Sequence, residues 1–341
     1  MEKFKAFCKR KNIEVSAKRY GIDALGAMAQ GLFCSLLIGT IIKTLGAQLG
    51  VPFLTDIGTY AMSVSGPAMA VAIGYALKAD PMVLFSLAAV GWAANAEGGA
   101  GGPLAVLIIA ILAAECGKAV SKETKIDILV TPAVTILVGV ALAKWIAPPI
   151  GTAASAFGLV IDNATRLQPF WMGIAVSVLV GVALTLPISS AAICAVLKMT
   201  GLAGGAAVAG CCAQMVGFAV ISFRENRWSG LVAQGLGTSM LQMGNIVKNP
   251  RIWIPATLAA AVTGPLSTMV FKLECTGVSA GMGTCGLVGP LGILADMGGS
   301  PRVWLGIVLV CIVLPAVLSW VFSEILRKLG WIRPGDLKLN L

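Results

Sequence analysis

The sequence predicts an all-α integral membrane protein of about 10 transmembrane helices, with re-entrant glycine-rich hairpins and an internal two-copy repeat. Three observations carry this reading. Of 341 residues, 57% are hydrophobic and only 12% charged, where soluble domains carry about 25% charged residues. Mean hydropathy is +0.90. A soluble fold of this length lacks the interior to hide so much apolar surface, so lipid is the solvent for much of it. Apolar runs near the ~20-residue length of a bilayer crossing alternate with charged or Pro/Gly punctuation.

Residues 1–22 read as a basic amphipathic segment. Lys3, Lys5, Lys9, Arg10, Lys11, Lys18 and Arg19 fall in this stretch, and a polar tract precedes the first apolar run. No small-residue cleavage site follows, so the segment is expected to be a cytoplasmic helix on anionic lipid rather than a removed leader. Spans are then expected at 24–45, 57–78, 82–97, 103–119, 127–147, 169–197, 201–221, 229–247, 252–272 and 302–326. The first two fill 23–81.

The positive-inside rule orients them. The N-terminal tract, Lys78, the loop Lys118–Lys125, Lys198, the loop Lys248–Arg251 and the tail 331–341 fall on the cytoplasmic side, with both termini there. Arg224 and Arg227 fall opposite. The net charge of +10 is thus loop charge facing a membrane, and no nucleic-acid partner is expected.

Three connections are too apolar and glycine-rich for plain loops: Asn95–Gly102 (NAEGGAGG), Ile150–Leu167 and Cys275–Gly299. Glycine breaks helices and lets backbones approach closely. Irregular backbone at membrane depth survives where it lines a cavity or is buried in protein. All three are therefore expected as re-entrant hairpins. A repeat accompanies them. Glu97 with Gly102 matches Glu225 with Gly230, Pro132-Ala133 matches Pro255-Ala256, and the Trp171 and Trp304 motifs match. Residues 82–200 and 201–330 then form two copies in the same orientation, with a site at their interface.

The sequence also excludes chemistry. It has no histidine, which removes the usual general base and the commonest metal ligand. Its nine cysteines form no C-x-x-C pair, and five of them sit within apolar runs. No metal and no cofactor is expected. A Walker-type loop, an arginine ladder and a T-V-G-Y-G filter are all absent, so the chain carries no self-contained catalytic motif.

Ionisable and amide groups at membrane depth are the candidate site, because they are costly there without a role. Asn95 and Glu97 sit in the first hairpin. Glu225 and Asn226 belong to FRENRWSG. Gln234, Thr238, Gln242 and Asn245 recur at spacings of four, four and three, which puts them on one helical face and suggests a polar stripe along an aqueous path. Glu274, Thr276 and Asp296 bound the last hairpin. These carboxylates, amides and hydroxyls are the groups that bond sugar hydroxyls.

The NAEGGAGG hairpin, the FRENRWSG segment, the LECTGVSAGMGTCGLVGPLG hairpin and the short tail resemble the membrane subunit, component IIC, of bacterial phosphotransferase-system sugar transporters. The closest branch is a stand-alone one whose members are also described as toxin-expression regulators. The resemblance implies a homodimer in the bacterial cytoplasmic membrane. Each subunit would bind a sugar or polyol and expose it to alternate sides, and a separate phosphorylated IIB protein would donate phosphate. The chain would be at most the translocating half of a sugar phosphotransferase.

The G-I-T-E motif of the family's glucose branch is absent, and Glu97 and Glu274 are its nearest local analogues for a catalytic carboxylate. Two other functions fit the same residues: a non-transporting membrane sensor or regulator of gene expression, and a channel or secondary transporter for another small solute.

Overall fold

The structure, a computed structural model, describes the backbone of residues 2–339 and the side chains of 6–339. Lys3 and Lys5 lie outside the described side chains. Every regular element among the described residues is helical. The chain forms two compact units. The first holds Met1–Leu36 and Tyr60–Ala153, and the second holds Leu37–Thr59 and Ala154–Leu341. These divisions fall inside helices and do not follow the 200/201 boundary of the proposed repeat.

Seven helices supply the first unit. They are α1 (Glu2–Arg10), α2 (Arg19–Leu49), α3 (Pro52–Ser63) and α4 (Ser65–Ala76), α5 (Pro81–Gly98), α6 (Gly102–Val120) and α7 (Asp127–Thr165). The second halves of α2 and α7 and most of α3 continue into the second unit. Extended backbone at Asp80 followed by Pro81 starts α5, because a proline's missing N–H costs nothing in the first turn. The helix stops at Gly99, whose φ of +49° suits a residue without a Cβ.

α6 then runs antiparallel to α5. Gly98 lies against Ala105 at the turn, and Gly117 lies against Val83 at the far end. NAEGGAGG is therefore a tight helix-to-helix turn. α4 and α5 cross where Gly66 and Gly91 each face the other's carbonyl oxygen. Only glycine permits that approach.

The expected hairpin at Ile150–Leu167 is corrected. α7 runs unbroken for 39 residues through Pro132, Pro148 and Pro149. The alanines at 153, 154, 156 and 164 are the strongest helix formers, and they hold the helix where the sequence suggested a break. Thr152 Oγ1 returns a 3.0 Å hydrogen bond to the Pro148 carbonyl.

The second unit adds α8 (Pro169–Thr185), α9 (Ser190–Val196), α10 (Gly201–Ile221), α11 (Phe223–Val232), α12 (Met243–Lys248), α13 (Pro250–Phe271), α14 (Gly277–Ala280), α15 (Val288–Met297) and α16 (Pro301–Lys328). α10 is the central helix, buried continuously from Gly204 to Met215 and packed on α8, α13 and α16. Its composition, GLAGGAAVAGCCA, explains the closeness. Gly210 abuts the Ser177 carbonyl of α8, and Gly205 abuts the Leu273 carbonyl.

Residues 273–299 fold back on themselves. Cys275 N and Gly277 N bond the Gly201 and Met199 carbonyls at 3.3 and 2.9 Å. Gly283 then reaches Cys211, midway along α10, and Gly292 returns to Ser279.

Among the described residues six helical runs are long and apolar enough to cross a membrane, or seven if the α3–α4 pair, bent by 49°, is one span. The sequence suggested about 10. The difference has physical causes. Residues 229–247 form no continuous helix, because a π turn at Ala233–Gly237 and a 3-10 turn at Ser239–Gln242 interrupt them. The run 169–197 is broken at Leu186–Ser189 into α8 and the short α9. α5 and α6 together count as one 40-residue run, although they fold on each other.

The sides assigned to two charged groups also change, Lys198 and the pair Arg224 and Arg227. α10 begins beside Leu273 and Cys275 and ends where Arg327 of α16 bonds the Ile221 carbonyl. Lys198, just ahead of α10, therefore sits at the opposite end of this unit from Arg224, Arg227 and the tail. Because 229–247 does not cross, Arg224 and Arg227 share the end held by Lys248–Arg251 and the tail, contrary to the sequence-based alternation.

Candidate functional site

The polar stripe converges, though not on one regular helix. Gln242 Nε2 donates to Gln234 Oε1 at 3.0 Å, and Asn245 Nδ2 donates to Gln242 Oε1 at 2.8 Å. Gln234 Nε2 donates to the Ser222 hydroxyl at 2.8 Å and the Gly230 carbonyl at 2.9 Å. Thr238 stands apart and caps Met240 N at 3.1 Å. Gln234 and Gln242 are fully buried. A row of buried amides must be satisfied or each costs a desolvation penalty, and this row is satisfied by protein rather than by an aqueous path.

Part of that satisfaction comes from the tail. The Leu337 carbonyl accepts from Asn226 Nδ2 at 2.8 Å and Gln242 Nε2 at 3.0 Å. Asn245 Nδ2 donates to the Lys338 carbonyl at 2.9 Å, and Leu339 N donates to Asn226 Oδ1 at 2.8 Å. Asn249 Nδ2 bonds Asp336 and the Trp331 carbonyl, and Arg251 lies 5.1 Å over the Trp331 ring. Ile332 and Leu337 are buried beneath. The residues 331–341, expected as a plain tail, are anchored at least as far as Leu339. Nothing in the sequence signals this except the alternation of Leu337 with polar neighbours.

Beside this groove Glu225 is nine-tenths buried. Its Oε1 meets Arg327 Nη1 and Nη2 at 3.2 Å, and its Oε2 has no hydrogen-bond partner. Deeper in the unit lies a second buried polar cluster that sequence reading missed. Gln214 of α10 accepts from Trp253 Nε1 at 3.0 Å and from Thr185 Oγ1 at 3.4 Å, and it donates to Thr257 Oγ1 at 3.1 Å. The Thr185 and Ser239 hydroxyls are 2.8 Å apart. Gln214 is the one amide in an otherwise small and apolar run, and that was its available signal.

The other sequence candidates are dispersed. In the first unit Asn95 packs its side chain against Gly66 and Gly102. Glu97 is held by Lys144 at 2.5 Å, with side chains 32% and 63% exposed. Glu274, Thr276 and Asp296 are exposed, and Glu274 makes only a backbone N–H contact to Met297 Sδ at 3.0 Å.

The first unit also buries charges that the sequence reading placed in a loop. Lys118, 2% exposed, lies 2.8 Å from Glu115 without a well-directed hydrogen bond, and it donates to the Leu77 carbonyl at 3.1 Å. Arg19 donates to the same carbonyl, so two cations cap the end of α4. Outside the spans, Lys122 beside Asp80 holds that carboxyl below its usual range, and Lys11 does the same for Glu123. Among the described residues no three of Cys, Asp and Glu come together as a metal site.

Long apolar helices enclosing buried amides, hydroxyls and ion pairs define a multi-pass helical membrane protein. The family model described as Phosphotransferase system, EIIC matches residues 22–339, and the chain belongs to that family, a membrane component of sugar transport. No curated protein matches the chain.

Proposed function

We propose that the chain is the sugar-translocating subunit of a phosphotransferase system. It takes a sugar or polyol through its helix bundle by alternating access, acts as a homodimer in the bacterial cytoplasmic membrane, and meets a separate phosphorylated IIB protein. The broken, glycine-rich segment 275–299 is its re-entrant hairpin, and residues 82–200 and 201–330 are its two copies.

One observation carries the binding site. Asn226, Gln242 and Asn245 already hold a polar chain through both carbonyl acceptors and an N–H donor. Amides that donate and accept in this way match sugar hydroxyls, which also do both. Residues 336–339 are the resident occupant, and the solute binds when they leave. Glu225 lies beside these amides, and Thr238 shapes the turn that presents them. Glu97, Asn95, Glu274, Thr276 and Asp296 serve the access route, with Glu97 or Glu274 as the carboxylate that takes a hydroxyl proton.

Calorimetry against a panel of sugars and polyols tests the reading directly, and absence of binding by any member overturns it. For a sugar that binds, hydrogen exchange at 336–339 is expected to accelerate on its addition. Asn226→Ala is expected to accelerate the same amides without sugar and to leave α10 protected. Unchanged protection on binding would remove the segment from the mechanism.

Glu97→Gln is expected to lower proteoliposome uptake while changing stability by no more than about 1 kcal/mol, because its partner is exposed. Full uptake would exclude Glu97. The docked segment also suits a sensor that releases its tail on sugar binding. Binding without any uptake would favour that second reading.

A further inference from the structure

The first unit contains a cavity of about 300 Å³ that no part of the transport reading uses. Five cations line it, Arg10, Lys11, Lys78, Lys118 and Lys122, with Asp80 and Glu123 as the only lining carboxylates. Arg10 ends α1 and Lys11 follows it, Lys78 lies in the turn after α4, and the end of α6 with the turn beyond it supplies the last two.

Pairing neutralises the inner wall. Lys118 faces Glu115 at 2.8 Å, and Lys122 bonds Asp80 at 2.9 Å. Glu123 is shared between Arg10 at 2.7 Å and Lys11. No side chain among the described residues is recorded as a partner of Lys78, which is exposed at the rim. Asp127 Oδ1 also accepts the Lys122 backbone N–H at 2.7 Å, so four carboxylates answer the five lining cations and leave one positive charge over. Lys11 is also held by the Ser121 carbonyl, so its ammonium keeps its position when an anion enters. The Arg10 and Lys122 side chains are 63% and 71% exposed, and each exchanges part of its carboxylate contact for an entering anion.

Helix ends would ordinarily argue against an anion here, because carbonyls face outward at a C-terminus. That objection is met at the end of α4, where the Leu77 carbonyl is already taken by Arg19 and Lys118. Three lining residues hold left-handed backbone without being glycine: Asn12 at φ +53°, Lys78 at +55° and Lys122 at +61°. Each such conformation costs of order 1 kcal/mol and persists where the surroundings over-determine it. Here it turns both lysines toward one cavity.

The geometry points to a binding site for a phosphate-bearing anion in this cavity, held by Arg10, Lys78 and Lys122 over the fixed ammonium of Lys11. A phosphate monoester carries about −1.5 to −2 charge at pH 7, which the surplus Lys78 and the exposed Arg10 and Lys122 attract. The phosphate can come from a soluble ester or from the headgroup of an acidic lipid at the membrane face.

Two arms separate the sources. In the first, inorganic phosphate and glycerol phosphate are titrated into the detergent-purified full chain by calorimetry. In the second, the chain is placed in nanodiscs of phosphatidylcholine with phosphatidic acid or phosphatidylglycerol, and retained lipid is read by native mass spectrometry. Lys78→Glu is expected to weaken binding at least tenfold in whichever arm responds, and added salt to weaken it further. Lys198→Glu, an exposed left-handed lysine of the second unit, is the control and is expected to change neither arm. Arg10→Ala gives a second reading if Lys78→Glu lowers the yield of folded protein.

A response in the first arm alone assigns the site to a soluble phosphate, and a response in the second alone assigns it to a headgroup. No response in either arm, or one that Lys78→Glu and Arg10→Ala both leave unchanged, overturns the proposal.

Discussion

Arg327→Ala is expected to cost about 3–5 kcal/mol of stability, the usual penalty for orphaning one member of a buried ion pair. Arg327 and Glu225 have side chains 12% and 10% exposed, so water does not screen the loss. The guanidinium makes three kinds of contact at once. It holds Glu225 Oε1 through two nitrogens, the Ile221 carbonyl at 3.0 Å and the Ser323 hydroxyl at 3.4 Å. Its removal leaves Glu225 with neither oxygen bonded, because Oε2 already has no partner.

The apparent melting temperature in detergent reads the effect. The double variant Glu225→Gln with Arg327→Met should recover most of the loss, since replacing both charges removes the desolvation cost together with the attraction. If the single and double variants melt together, the pair is not what holds α11 to α16.

Gly210→Ala is the second large effect. A Cβ at this position would stand on the carbonyl carbon and oxygen of Ser177. Both obstacles are backbone, so no side-chain rotation relieves the clash and α8 must move off α10. Overpacking of this kind costs about 1–3 kcal/mol or more. The movement also disturbs the Thr185–Gln214 contact one turn further on. Gly235→Ala is the matched control, since its added methyl meets only Ala219 Cβ at 3.6 Å, an ordinary contact. Thermal unfolding of the two variants should differ clearly, and equal melting would show that the α8–α10 crossing tolerates separation.

The candidate site was partly legible before the fold was known. Spacings of four, four and three put Gln234, Thr238, Gln242 and Asn245 on one helical face; the three amides do bond one another, while Thr238, at the break between the π turn and the 3-10 turn, stands apart. The spacing did not reveal what they face. Their partners lie about 90 positions onward, at Leu337 and Lys338, and no local pattern encodes a contact of that range. Glu225 was singled out for the same reason as any buried carboxylate, while Arg327 looked like one more positive residue at a helix end. Lys118 was placed in a basic loop because its neighbours at 122 and 125 are basic, yet the last turn of α6 carries it inward.

Composition alone determined that this is a multi-pass helical membrane protein, because 57% apolar residues have no other solvent than lipid and helices satisfy their own backbone there. The residue pattern also located most helix starts and stops, since Pro81, Pro169, Pro250 and Pro301 act within one turn of themselves. Only the tertiary structure decided that 229–247 breaks and that Arg224 and Arg227 lie at the end where the tail docks. Each of those outcomes depends on which distant backbone or side chain satisfies a polar group. That choice is made by packing between helices, and a linear reading of hydropathy carries no term for it.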